Sequence, residues 1–205
     1  MTEAGPTSDV PRLDEHLRNH VAPRFRQLVS AAAQRVVNAQ RELDDLRAAT
    51  GTMTWEVTGN APAVCHINIA NGEMTVADQP ATEAFLTVVL AEADWARFAG
   101  GMAGLFGGDQ RRPLGRSRIE HVRAVKGAIR FVLTGLQDGS SWTCTVHFGP
   151  GPRPAEPQTT VTLAADVVAK IQAGQLDPQV AFMQGQVKLS GDPGLAMQLG
   201  MALFL

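Results

Sequence analysis

The chain has 205 residues, with 18 Lys and Arg against 20 Asp and Glu and a formal net charge of −2. That near-balance excludes a general polyanion-binding role, and the length allows one or two domains with a sizeable core. Two cysteines argue against a disulfide framework, the polar opening MTEAGPTSDVPRLDEH does not read as a secretory leader, and no apolar run is long enough to span a bilayer. The final Leu203-Phe204-Leu205 is not a Ser-Lys-Leu peroxisomal address, so the expected location is cytoplasmic. Tyr is absent, and Met, Leu and Ala are plentiful, which suits an adaptable core or pocket.

In chain order, residues 1–10 are expected to be disordered, and Pro11 to His20 to form a short helix that Pro23 stops or kinks. From Arg24, Phe25, Leu28, Val29, Ala32, Val36, Ala39, Leu43 and Leu46 follow a 3.6-residue period until Gly51. This predicts a long amphipathic helix over 24–49, packed on a sheet or serving as a dimer or partner-binding helix. The stripe is not a strict heptad, which counts against a coiled coil. Strands are expected at Thr52–Thr58, Val64–Ile69, Glu73–Ala77 and Phe85–Leu90, with Asn71-Gly72 as a hairpin turn. A helix from Glu92 to Gly100 ends at paired glycines. Residues 101–115, rich in Gly and then basic, lack the Gly-Lys-Ser/Thr ending of a phosphate loop and are expected to be a loop. Arg116–Glu120 is expected as a strand and His121–Lys126 as a helix.

The pattern then starts again. Trp55 to Gly59 matches Phe131 to Gly135, Cys65 to Ile69 matches Cys144 to Phe148, and Leu90-Ala91 matches Leu163-Ala164. Ala96-Arg97-Phe98 matches Ala169-Lys170-Ile171, and Gly115 with Ile119 matches Gly185 with Leu189. The offset changes only in turns and loops, where a diverged duplication tolerates insertion.

The final stretch, LDPQVAFMQGQVKLSGDPGLAMQLG from Leu176 to Gly200, carries the strongest functional signal. Asp177-Pro178 is a helix start, Gln186 to Ser190 alternates as a half-buried strand with Val187 and Leu189 inward, and Gly191 to Gly194 is turn chemistry. An almost uncharged apolar helix follows from Leu195. Pro178, Ala181, Phe182, Gly185, Lys188, Gly191, Asp192, Gly194, Leu195, Ala196 and Met197 resemble the C-terminal motif of the sterol carrier protein 2 family. Thr160 to Gln175 continues that resemblance as a strand and helix. Gln186 stands where the family usually has Lys, and Pro193 where it usually has Met.

The resemblance implies an α+β fold, an antiparallel or mixed sheet layered with helices. The sequence divides into 1–50, the tail and long helix; 51–127, a first and degenerate sterol-carrier-like unit; and 128–205, a second one. One continuous sheet built from both halves is the alternative. The resemblance further implies a lipid or other hydrophobic small molecule as partner, held where the last helix closes an apolar tunnel. Trp142, Phe148, Phe182, Met183, Leu195, Met197, Leu199, Met201 and Phe204 are the expected lining. On spacing alone they would be core. About ten buried methylenes at ~0.8 kcal/mol each supply on the order of 8 kcal/mol before entropy losses, so micromolar binding needs no specific polar contact.

Other chemistry is weaker. Glu120, His121 and Asp94 are the available acid–base groups for an isomerase or cyclase acting on a hydrophobic intermediate, although Glu120 and His121 also read as a solvated face. Cys65 and His66, adjacent on a strand, point to opposite faces, as do Cys144 and His147, so no metal site is expected. Arg111, Arg112, Arg116, Arg118, Arg123, Lys126 and Arg130 form a basic stretch, either ordinary surface charge or a contact for an anionic headgroup. Without interleaved aromatics it does not suit single-stranded nucleic acid. The first expectation is therefore a non-catalytic lipid carrier or accessory factor without cofactor. The enzyme and an interaction module dimerising through helix 24–49 are the alternatives.

Overall fold

The structure, a computed structural model, describes Asp14, residues 17–99 and residues 114–204, the side chains of 199–204 excepted. The expectations for residues 1–10 and 101–113, including Arg111 and Arg112, lie outside the described residues. The N-terminal unit, residues 1–44, contains a π-helical turn, Leu17–Val21, followed by α1, Ala22–Arg47. Pro23 sits in the first turn of α1, where a missing N–H costs nothing.

The second unit, Asp45–Leu205, is built on one mixed sheet. Its strands are β1 (Gly51–Thr58), β2 (Ala63–Ala70), β3 (Glu73–Ala77), β4 (Ala84–Ala91), β5 (Gly127–Thr134), β6 (Trp142–Phe148), β7 (Thr159–Ala164) and β8 (Val187–Gly191). The described helices of this unit beyond the end of α1 are α2 (Glu92–Arg97), α3 (Arg116–Ala124), α4 (Ala165–Gln172), α5 (Pro178–Met183) and α6 (Pro193–Phe204). The strand order is β3-β2-β1-β4-β6-β5-β7-β8. The pairs β1/β4 and β5/β7 are parallel and the other five are antiparallel. The sheet thus runs continuously through both halves of the chain.

Strand alternation sorts the side chains into two unlike faces. The register puts Trp55, Ile67, Val88, Val146, Ile129, Phe131, Val161 and Leu189 on one face. Thr54, His66, Thr87, His147, Thr145, Arg130, Thr162 and Lys188 lie on the other. The apolar face carries the core, where Val88, Leu90, Ile129, Leu133, Trp142 and Val146 pack with Ile119 and Val122 of α3, Val168 of α4 and Leu195 of α6. Trp55, Trp95, Phe98 and Trp142 form an aromatic row, with centroids 5.4 Å apart for Trp55–Phe98 and 6.2 Å for Phe98–Trp142. Trp142 Nε1 donates to the Asp94 carbonyl at 3.0 Å.

One local expectation fails. Arg116 to Ala124 is a single helix, not a strand followed by a helix. Ile119 and Val122 are its buried residues, three apart, and Arg116 reaches Glu120 one turn on at 3.9 Å. Ile119 therefore has no strand role comparable to Leu189. The N-cap of α3 is Gly115, which has no side chain to offer. Asp45 replaces it, its Oδ1 accepting from the Ser117 N–H at 3.2 Å and the Ser117 hydroxyl at 2.7 Å. Asp45→Ala is expected to lower stability by about 1–2 kcal/mol, read by urea denaturation, with the slope of the transition unchanged.

Candidate ligand-binding site

The segment after α4 is assembled from caps and glycines. Asp177 Oδ1 accepts the N–H groups of Gln179 at 2.7 Å and Val180 at 3.2 Å, which starts α5 with Pro178 in its first turn. Gly185, with φ of 71°, turns the chain out of α5 toward β8. Ala181 is fully buried and anchors this short helix. Its apolar neighbours stay outside: Phe182 is 51% exposed and Met183 85%.

The Gly191-Asp192 pair has a packing explanation centred on Gln158. The Gln158 N–H donates to the Ala128 carbonyl at 3.0 Å, and its Oε1 accepts the Ala128 N–H at 2.6 Å. Its own carbonyl accepts the Asp192 N–H at 2.9 Å. A Cβ on Gly191, whose φ is 99°, would collide with that carbonyl. Thr159 Oγ1 donates to the Asp192 carbonyl at 2.6 Å, and Asp192 Oδ1 accepts from the Gly194 N–H at 2.8 Å as α6 begins. Leu195 then drops into the core beside Gly127, where a Cβ would press on its methyl groups. One glutamine thus ties β5, β7, β8 and the entry to α6 together. Gln158 has no local sequence signal; it is defined by partners far away in the chain.

The expected lining residues separate. Trp142, Phe148 and Leu195 are brought together in the core cluster. Phe182, Met183 and Met197 are on the surface, Met197 68% exposed. Leu199, Met201 and Phe204 lie outside the described side chains. Val180, Phe182, Met183 and Met197 therefore place exposed apolar groups on α5 and α6, next to a half-buried stretch of the apolar sheet face at Val161, Leu163, Val187 and Leu189.

Two open clefts are present among the described residues. One, of about 590 Å³, is bordered by Lys126, His147, Phe148, Arg153, Gln158 and the Gly-Pro run from Gly149 to Pro154. Its loop is held over the sheet by Arg153, which contacts Glu56 at 2.7 Å, and by Glu156, 3.6 Å from Arg130. The other, of about 570 Å³, is bordered by Thr134, Thr162, Leu163, Asp166, Lys170 and Lys188. Both rims mix polar and apolar groups, with Phe148 and prolines in the first and Leu163, Ala164 and Val167 in the second.

The remaining candidates are engaged or dispersed. Glu120 is exposed beside Arg116, and His121 is exposed on α3. Asp94, on α2, lies 3.6 Å from Arg97. Arg123 donates to the Thr50 carbonyl at 3.3 Å, so the basic stretch is partly structural. Burial, then the nearby Asp94 charge, pushes the Cys144 thiol up to about 12, which leaves it protonated at neutral pH. His66 Nδ1 shares a 2.9 Å hydrogen bond with Thr54 on the polar face, away from Cys65. Among the described residues no three His, Cys, Asp or Glu side chains converge as a metal site, and no helix is long and apolar enough to cross a membrane.

Two outcomes are expected. Gly191→Ala forces both an unfavourable φ and a backbone collision, and is expected to cost roughly 2–4 kcal/mol in urea denaturation. Burial, and then the Arg153 charge, hold His147 below its ordinary 6.5 against the opposing pull of Glu56. The unfolded imidazole therefore takes the proton first. Its contribution is complete above pH 6.5 and is lost as pH falls below that value. Replacing His147 with Gln should flatten the Tm profile between neutral and mildly acidic pH relative to the parent chain.

Residues 111–204, which include α3 through α6, match the family model described as the SCP-2 sterol transfer family. Hydroxysteroid dehydrogenase-like protein 2 of Xenopus laevis is 32% identical over 84 residues, covering 39% of this chain and 20% of that protein. Sterol carrier protein 2 of Gallus gallus is 29% identical over 86 residues, covering 39% and 16%. The chain thus spans about a fifth of the length of the curated relatives it matches. Among solved structures, the sterol carrier protein domain 2 of Helicoverpa armigera has 26% identity, covers 42% of this chain and 75% of its own, and gives a TM-score of 0.32. Sterol carrier protein 2 from Yarrowia lipolytica in its apo form has 20% identity, coverage of 43% and 74%, and a TM-score of 0.33. Scores of that size carry no argument about the whole architecture, and the weight rests on the family-model match. Over residues 111–204, the part that contains the Gln158 joint and the apolar helices α5 and α6, this chain is similar to the SCP-2 sterol transfer family.

Proposed function

We propose that the chain binds a lipid or similar hydrophobic small molecule on its C-terminal part and carries or presents it as an accessory factor. The observation that carries this reading is the exposed apolar group of Val180, Phe182, Met183 and Met197 within the segment that matches the SCP-2 sterol transfer family. Exposed Phe and Met on two helices that each pack against β8 are costly in water and suit an adaptable apolar ligand. The ligand lies against α5, α6 and the apolar sheet face at Val161 and Leu189, with Leu199, Met201 and Phe204 on the same final helix. Trp142, Phe148 and Leu195 support this site from the core rather than touch the ligand.

The chain is also read as two diverged copies of one unit. Phe131 pairs with Cys144 across β5/β6 as Trp55 pairs with Cys65 across β1/β2. Thr58 Oγ1 donates to the Leu90 carbonyl at 3.2 Å, and Thr134 Oγ1 to the Leu163 carbonyl at 3.4 Å, at matching ends of the two parallel pairs. A helix follows directly from Ala91 and from Ala164. These equivalences support duplication, with the first copy structural and the second carrying the ligand site.

Native mass spectrometry of the freshly purified protein is expected to find a lipophilic passenger, and a fluorescent C18 fatty acid is expected to bind in the micromolar range. Phe182→Asp combined with Met197→Asp changes only exposed positions, so the fold persists while affinity falls at least about tenfold. Unchanged affinity in that variant, or no binding by the parent chain, overturns the assignment.

A further inference from the structure

The apolar stripe of α1 is more ordered than packing on a sheet requires. With Leu28 set aside, Phe25, Val29, Ala32, Val36, Ala39, Leu43 and Leu46 are separated by alternating steps of four and three, and Ala22 extends the series backward. That is the heptad repeat of a left-handed coil, and the sequence argument against one rests on Leu28 alone, which takes a flanking position. The seam residues from Ala22 to Leu43 are exposed, Phe25 by 67% and Val36 by 70%. From Ala22 to Leu46 the seam is about 37 Å long, three and a half heptads.

We propose that α1 pairs with α1 of a second copy as a parallel two-stranded coiled coil. The seam is self-complementary. Val29 and Val36 put β-branched side chains at the positions where they favour two parallel strands, and the small Ala32 and Ala39 let the helices approach closely. The flanking residues choose the direction. In parallel register Glu42 meets Arg47 of the second copy, twice by symmetry, while Arg35 meets Gln40 and Leu28 meets Ala33. An antiparallel pair would set Arg35 against its own copy at the centre. This assignment is independent of the lipid site.

Light scattering on the full chain is expected to give about twice the 21.8 kDa chain mass. Val36 and Val37 are adjacent and both exposed, but only Val36 is on the seam. Val36→Glu buries an unpaired charge and should weaken association at least about 100-fold, while Val37→Glu leaves it unchanged, with circular dichroism of the sheet as the folding control. Ala22→Cys, in a chain with Cys65→Ser and Cys144→Ala, should oxidise to a covalent dimer, because a parallel coil alone brings the two copies of residue 22 together. The proposal is overturned by a monomer at every concentration tested, by equal effects of the two valine variants, or by no cross-link at residue 22. A monomer that sediments with phosphatidylcholine–phosphatidylserine vesicles gives the stripe to a lipid surface and also overturns it.

Discussion

The antiparallel seam between β4 and β6 is the constraint on which the second unit depends. Leu86 to Leu90 pair residue by residue with Phe148 to Cys144, and this run alone joins the two halves of the sheet. Neither half closes without it. The first half ends its sheet on β4, and the second has no third hairpin strand to cover β6. Each would expose an unpaired edge, a row of backbone donors and acceptors open to aggregation. Pairing β4 with β6 satisfies both edges and makes the apolar face continuous from Trp55 to Leu189. The core then forms where that face is widest, with Val88, Val146 and Ile129 side by side across three strands.

The polarity of the two sheet faces separates the functions of the chain's surfaces. The face that carries the threonines, His66, His147 and Arg130 is strapped by a loop whose Arg153 and Glu156 reach back to the strand charges Glu56 and Arg130. The other face accepts helices. Its coverage thins toward β8, where α5 is only six residues long and is anchored by the single small side chain of Ala181. A six-residue helix buries little, so its larger apolar residues have nowhere inside to go. These exposed side chains fall within residues 111–204, the stretch that is similar to the SCP-2 sterol transfer family.

The family motif takes on a different meaning once Gln158 is in view. Gly191 and Asp192 have a structural part in this arrangement. They let a strand edge, a helix start and a glutamine carbonyl occupy nearly the same space. That explains why Pro193 is accepted inside the motif: it enters the first turn of α6, where its lost N–H has no cost, while Asp192 caps the turn through Gly194.

Much of the fold was legible in the sequence for local reasons. Period-two alternation located the strands, Asn71-Gly72 marked the hairpin, and Asp177-Pro178 marked the start of α5, because strand pleat, turn geometry and capping are decided by neighbours along the chain. The long helix α1 belongs to the same class, its 3.6-residue apolar period being pure spacing. Arg116 to Ala124 was misread because its few apolar residues fit either period until Ile119 and Val122 are both buried against the sheet. Gln158 and the Asp45 cap of α3 left no local trace, since their partners are 30 residues away or more. The candidate site divides in the same way. Spacing identified Phe182, Leu195 and Met197 as apolar positions, but whether an apolar side chain joins the core or faces solvent depends on which distant surface covers it. Only the tertiary structure sent Leu195 inward and left Phe182 and Met197 outside.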